Sequence, residues 1–213
     1  MYLPAHFEET RTEALHALIR GHPLGTLVTL DAAGALQANP IPFLIEPGAR
    51  VHGTLRGHVA RANPLWRETR DDVDALVVFQ GAQSYVSPGW YPSKAEHGKV
   101  VPTWNYVVVQ ARGRLRAVDD PVWLRALVTR LTERFESALP APWAVGDAPG
   151  DYIETMLRAI VGIEIELSGL VGKWKVSQNR SAADRQGVAA ALAALPGDAQ
   201  AAAMAVEVAR RAP

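Results

Sequence analysis

Over residues 107–118 the chain reads VVVQARGRLRAV, and after three valines its positions alternate: Gln110, Arg112, Arg114 and Arg116 against Ala111, Gly113, Leu115 and Ala117. A period of two places such residues on opposite faces of a pleated strand, so a half-exposed strand is predicted here. Further strand-like runs fall at 26–30, 35–45 and 50–55, with turn signals at 31–34 and 46–48, and give an antiparallel meander. A buried strand is predicted at 75–80 (ALVVFQ), and alternation returns at 163–167 (IEIEL). Between them, 58–66 (HVARANPLW) is interrupted by Asn63-Pro64 and reads as a short helix or turn. The polar segment 92–100 reads as a loop feeding the strand that follows.

Other segments carry the helical period. Leu15, Leu18 and Ile19 recur with charges between them, which predicts a short amphipathic helix over 8–19 that ends near Gly21 to Pro23. Asp120 as N-cap and Pro121 at the first helical position open a helix whose Leu124, Leu127, Val128, Leu131 and Phe135 share a face, ending by Pro140. A Pro/Gly-rich connection over 139–150 leads to a helix at 152–159. Ser181-x-x-Asp184 resembles a capping box for a helix to Leu195, and after Pro196-Gly197 an Ala-rich helix runs from Asp198 to Arg210.

About seven strands in mostly antiparallel order with helices at the edges, and no parallel β/α alternation, predict an α+β, mainly β fold, a closed or partly closed barrel rather than a doubly wound sheet. The division expected is a barrel domain with inserted helices over 1–180 and a C-terminal helical extension over 181–213 packed on it. No glycine fingerprint of the dinucleotide-binding or P-loop kind is present, so a bound phosphate would be held by side chains.

Composition narrows the chemistry. With 213 residues, 48% hydrophobic and 21% charged, the chain can bury one good core. No run of about 18 apolar residues exists and the N-terminus MYLPAHFEETRTE is acidic and polar, so no membrane association and a cytoplasmic location are expected. The absence of cysteine excludes disulfides, thiolate metal sites and a cysteine nucleophile. A formal net charge of zero gives no chain-wide support for nonspecific nucleic-acid binding. Local basic stretches, five Arg and two His against one Glu over 50–70 and two Lys and two Arg against one Asp over 173–185, could face a phosphate-bearing small ligand.

VPTWNY at 101–106 puts unusual polar chemistry at a strand start. Alternation sets Thr103 and Asn105 on one face and Trp104 and Tyr106 on the other. Two readings stand at this stage: a ligand-facing edge, or a strand end whose polar groups satisfy nearby backbone. Lys173, Lys175, Ser177, Gln178, Asn179 and Arg180 form a dense donor set that could meet a ligand, a partner subunit or only solvent. Trp90 and Tyr91 could shape a cleft, a dimer contact or ordinary packing. Trp66, Trp123 and Trp143 read as core or interface.

Taken in order, MYLPAHF, HVARANPLW, YVSPGWY, VPTWNY and KWKVSQNR followed by Asp184-Arg185-x-Gly187-Val188 resemble the PaiB family of FMN-binding negative transcriptional regulators over nearly the whole chain. The resemblance implies an antiparallel, Greek-key-like FMN-binding split barrel of the pyridoxamine-phosphate-oxidase-like kind, usually a homodimer with flavin in clefts between subunits. It further implies that Thr54, Arg56, His58, Arg61 and Asn63 line the flavin phosphate and ribityl chain. Thr103, Trp104 and Asn105 would lie beside the isoalloxazine, and Gln178 and Arg180 would meet the ligand or the partner. For His58 the plainer alternative is a residue that bonds backbone at a helix start.

Three functions are then open. In a regulator, FMN biases a dimer that acts on DNA or on a regulatory partner protein, although no helix-turn-helix with a basic recognition helix is legible. A flavin-dependent oxidoreductase would take a small molecule and NAD(P)H, and hydride transfer to flavin requires no protein nucleophile. A haem-handling barrel ranks last, because His6, His16, His22 and His52 lack supporting spacing.

Overall fold

The computed structural model describes residues 1–47 and 51–211. Eight strands and seven helices follow one another as β1 (Glu8–Glu9), α1 (Thr12–Gly21), β2 (Leu24–Leu30), β3 (Leu36–Pro42), β4 (Leu44–Glu46), β5 (Thr54–Ala60), α2 (Leu65–Glu68), β6 (Ala75–Val86), α3 (Ser93–His97), β7 (Thr103–Val118), α4 (Pro121–Glu136), α5 (Gly150–Arg158), β8 (Ile160–Lys175), α6 (Ala182–Ala193) and α7 (Ala199–Arg210). The strand order is β3-β2-β6-β7-β8-β5-β4, with β1 on β8. The pairs β1–β8, β2–β3, β2–β6, β4–β5 and β5–β8 are antiparallel. Among the described residues no helix is long and apolar enough to cross a membrane.

Two compact units divide the chain, one of residues 1–21, 80–109 and 171–213, the other of residues 22–79 and 110–170. In the first, α1 buries Leu15, Leu18 and Ile19. Asp198 caps α7 by accepting from Ala201 N at 2.9 Å, and that helix buries Ala201, Met204, Ala205 and Val208. The Trp174 indole donates to Glu207 at 3.0 Å, so the end of β8 is tied to α7.

The second unit is centred on Leu27, Phe43, Leu55, Val77, Phe79, Ile163 and Ile165, all almost fully buried. Asp120 caps α4 as expected, accepting from Val122 N at 2.8 Å and Trp123 N at 3.2 Å. Leu124 of α4 then packs with Ile153 and Leu157 of α5, against Trp123. The Trp123 ring lies where a side chain at position 162 would be: a Cβ on Gly162 would meet it at 2.2 Å. That close approach requires glycine there.

Several sequence expectations change. The segment 58–66 is not helical from His58, since β5 runs on to Ala60 with Leu55, Gly57 and Val59 turned inward. Packing of that alternate face overrides the local breaker reading, and the break comes where Asn63 Oδ1 accepts from Leu65 N at 3.0 Å. The strand expected over 50–55 starts outside the described residues, as does the end of the turn at 46–48; β5 begins at Thr54. The loop expected at 92–100 contains α3, and the helix over 8–19 begins only at Thr12, after a two-residue strand that pairs with Gly172 and Lys173.

Candidate functional site

In the first unit β7 begins at Thr103, and its alternation sends Asn105 inward, 1% exposed, while Trp104 stands 48% exposed on the other face. Thr103 and Asn105 line a small polar cavity with Tyr91, Lys175, Ser177, Asn179 and Arg180. Lys175 Nζ donates to Thr103 Oγ1 at 2.6 Å and to the Trp104 carbonyl, which fixes the ammonium at the cavity wall. The Asn105 amide donates to Ser177 Oγ at 2.9 Å. Ser177 is 4% exposed and has φ 67, a left-handed conformation that costs a non-glycine residue on the order of 1–2 kcal/mol. That turn closes with Arg180 N donating to Ser177 O at 3.0 Å and carries the Arg180 guanidinium 4.9 Å from the Tyr91 ring centroid.

The turn is anchored from one side by the Ser181-x-x-Asp184 motif. Ser181 Oγ accepts from Asp184 N at 3.1 Å, and the Asp184 carboxylate accepts from Ser93 N at 3.1 Å and Ser93 Oγ at 2.9 Å. Asp184 therefore caps α3 from 91 residues away, which is why the local sequence of α3 gave no helix signal. A Cβ on Gly187 would meet the Trp90 carbonyl at 2.3 Å, so glycine at this place in α6 lets the helix seat against the segment that carries Tyr91.

Charge in this cavity is unbalanced. Burial, then the neighbouring Lys173 and Arg180 charges, lower the Lys175 pKa below the ordinary lysine value. Among the described residues no carboxylate forms an ion pair with Lys175, and the Arg180 charge helps hold the Asp184 carboxyl below its ordinary range. The Tyr91 hydroxyl is buried; burial raises its pKa, and the charge and hydrogen bonding of Arg180 act against that. Gln178, by contrast, bends back on its own turn, with Oε1 accepting from Val176 N at 2.8 Å and Nε2 donating to Trp174 O. Trp104 and Gln178 thus stay outside the cavity that Thr103, Asn105 and Arg180 share. Tyr91, Lys175, Ser177 and Asn179 complete it; the last three fall in the KWKVSQNR run, and Tyr91 ends YVSPGWY.

In the second unit Thr54, Arg56 and His58 alternate along one face of β5. Arg56 Nε donates to Glu164 Oε2 at 2.7 Å and Arg56 also pairs with Glu46, while Arg116 Nη2 reaches Glu164 Oε1 at 2.5 Å. Burial pushes the Glu164 carboxyl up, but the hydrogen bonds from Arg116 and Arg56 outweigh it and hold its pKa below the ordinary range. Arg61 forms a fork on Asp119, at 2.8 and 2.5 Å, and also donates to the Arg158 and Ile160 carbonyls at 2.6 and 3.1 Å. Asn63 Nδ2 donates to Asn39 Oδ1 at 3.0 Å. The two arginines nominated for a phosphate are therefore already matched by carboxylates. Their partners Glu164, Asp119 and Glu46 lie 108, 58 and 10 residues away and had no signal in sequence.

Comparison with known proteins decides the family. Residues 1–169 match the family model described as "Putative FMN-binding domain". The chain belongs to that FMN-binding family. Among curated proteins it is 30% identical over 191 residues to the protease synthase and sporulation protein PAI 2 of Bacillus subtilis, covering 88% of this chain and 87% of that protein. It is 34% identical over 232 residues to an uncharacterized protein of Aspergillus fumigatus, covering 88% of this chain and 89% of the other. The FAD and haem binding protein of Mycobacterium smegmatis superposes with a TM-score of 0.54 at 18% identity, over 86% of this chain and 79% of that one. The fold is the split barrel of the flavin-binding proteins, and the cofactor of the PaiB-type family is FMN.

The first unit's cavity, about 40 Å³, is too small to enclose a flavin, but its donors suit one polar edge of such a group. FMN presents pyrimidine carbonyls and a phosphate, all acceptors, and the cavity wall offers an ammonium, a guanidinium, hydroxyls and amides with an uncancelled positive charge.

Proposed function

We propose that this protein is an FMN-binding regulator of the PaiB type that works as a homodimer, with the carbonyl edge of the isoalloxazine received by Thr103, Asn105, Lys175 and Ser177. The observation that carries the reading is the half-buried Lys175 ammonium, flanked by Lys173 and Arg180 and matched by no carboxylate among the described residues. A buried cation without an anion is costly, and a ligand that brings acceptors offsets the cost. Bound FMN supplies reversible hydride and electron storage. Lys175 favours whatever form of the ligand carries more negative charge at that edge, Asn105 orients it, and the Ser177 turn keeps both in register. Trp104 offers exposed aromatic surface on the other face of β7. Arg56 and Arg61, committed to carboxylates, serve the fold of the second unit. The Bacillus relative is named a protease synthase and sporulation protein. A role here in controlling transcription, through DNA or a partner protein, follows that relationship.

FMN and riboflavin titrations of wild type, K175M and N105L test the site. The proposal expects both flavins to weaken together, by tenfold or more, because ring contacts are lost. Loss of the FMN preference alone would put the phosphate in this cavity instead and overturn the assignment. For the role, the proposal expects selection of a particular genomic fragment at moderate salt, or capture of a specific partner, with light scattering at dimer mass. Rapid anaerobic bleaching of bound flavin by NADH or NADPH, without either interaction, would favour an oxidoreductase.

A further inference from the structure

The second unit contains a cavity of about 330 Å³, walled by α4, α5 and the segment that joins them, with His58 on its lining. Its lining is almost wholly apolar: Val128, Val145, Ile153, Leu157 and Ile160 supply aliphatic walls. Three of the chain's exposed large hydrophobics belong to this one cavity, Trp143 at 44%, Tyr152 at 55% and Met156 at 42%. Isolated exposed hydrophobics are ordinary, but a cluster around a concavity of ligand size marks a binding surface. The second, independent observation is that His58 Nδ1 is buried with no hydrogen-bond partner. Buried polar atoms in folded proteins are nearly always paired, so an imidazole on the cavity lining with one ring nitrogen sealed and unpaired is a group whose hydrogen bonding a ligand would complete.

The geometry points to a second binding site, one for an uncharged aromatic molecule of one or two fused rings that carries a single hydroxyl or ring N–H for His58. The class follows from the walls. An aliphatic chamber edged by Trp143 and Tyr152 favours flat apolar surface, and the few polar groups on its lining, His58 and the Thr132 hydroxyl, set the orientation. Burial lowers the His58 pKa, so the imidazole is neutral at pH 7 and offers an anion no charge partner. No arginine or lysine belongs to the lining, and Arg56 and Arg61 of the same unit are already paired with carboxylates. This site is independent of the flavin reading, since none of its lining residues belongs to the first unit's cavity.

The test titrates 2-naphthol and, in parallel, naphthalene into the purified, FMN-supplemented protein, with the His58 imidazole followed by ¹⁵N NMR and flavin absorbance recorded throughout. The proposal expects saturable one-to-one binding, a moving His58 resonance and at least tenfold preference for 2-naphthol. H58L should erase that preference, T132W should abolish binding by filling the chamber, and Y152S on the exposed rim should weaken it several-fold in a protein of unchanged circular dichroism. Non-saturable binding, binding that survives T132W, equal affinity for the two probes, or a chamber that opens only when a dimer is diluted to monomers would each overturn it. Flavin retention is read separately, so failure of this site and failure of the FMN assignment show up in different signals.

Discussion

Replacing Glu164 with Gln removes the charge that holds Arg56 and Arg116 together while keeping the side-chain shape. Glu164 is 6% exposed, and each of its oxygens accepts from a different guanidinium. Glutamine keeps one acceptor and turns the other into an amide donor that faces an arginine. Removing one partner of a buried pair costs roughly 3–5 kcal/mol. Here two features lower the figure: the Arg116 side chain is 65% exposed and rehydrates readily, and Arg56 keeps its pairing with Glu46. The expected loss is about 2 kcal/mol, or about 4–8 °C in Tm for a chain of this length. The pH dependence has a definite sign. The folded-state carboxyl sits below its ordinary value, so its contribution is complete above about pH 4.3 and is lost as pH falls through the folded pKa. Urea denaturation at pH 7 and at successively lower pH should show the gap between wild type and E164Q closing on acidification. FMN retention at 20 °C should be unchanged. A gap under about 0.5 kcal/mol at pH 7, a gap constant to pH 3, or flavin lost from a folded E164Q would refute the structural role given to Arg56.

Other substitutions extend the reasoning. Hydrogen bonds from Arg11, with the Arg211 charge adding to them, lower the Glu9 pKa to about 2 despite burial. Glu9→Gln should therefore cost on the order of 2 kcal/mol at pH 6 by urea unfolding, with the difference fading between about pH 4.5 and 2. Gly162→Ala puts a methyl group against the Trp123 ring and should cost about 1–3 kcal/mol with a shift in tryptophan emission; an unchanged Tm would show that the ring relocates freely. Ser177→Gly relieves left-handed strain but strands the Asn105 amide, and because a buried unsatisfied donor costs about 1–3 kcal/mol the net effect should be a lower Tm with weaker FMN retention. A higher Tm with full retention would remove Ser177 from the site.

What the sequence disclosed and what it hid divide along chain separation. Elements whose signals are local were legible: the Asp120-Pro121 start of α4, the Ser181 and Asp198 caps, and the alternation of Gln110 to Ala117 all appear where the pattern put them. The faces of Thr103, Trp104 and Asn105 followed from the same period. Features set by distant residues were not legible. The cap of α3 comes from Asp184, β1 exists only by pairing with Gly172 and Lys173, and β5 overran its breaker because its inward face is packed. The basic count over 50–70 suggested a phosphate cradle, but charge counting along a chain cannot see the carboxylates that fold onto Arg56 and Arg61. In the Lys173 to Arg180 run, no carboxylate among the described residues pairs with Lys175.

The most direct test of the central claim is a visible absorption spectrum of the freshly purified protein, repeated after FMN is added and the sample desalted, with any released cofactor identified by mass. A flavin spectrum that survives desalting and releases FMN is the predicted result. A colourless protein that cannot retain added FMN would contradict it.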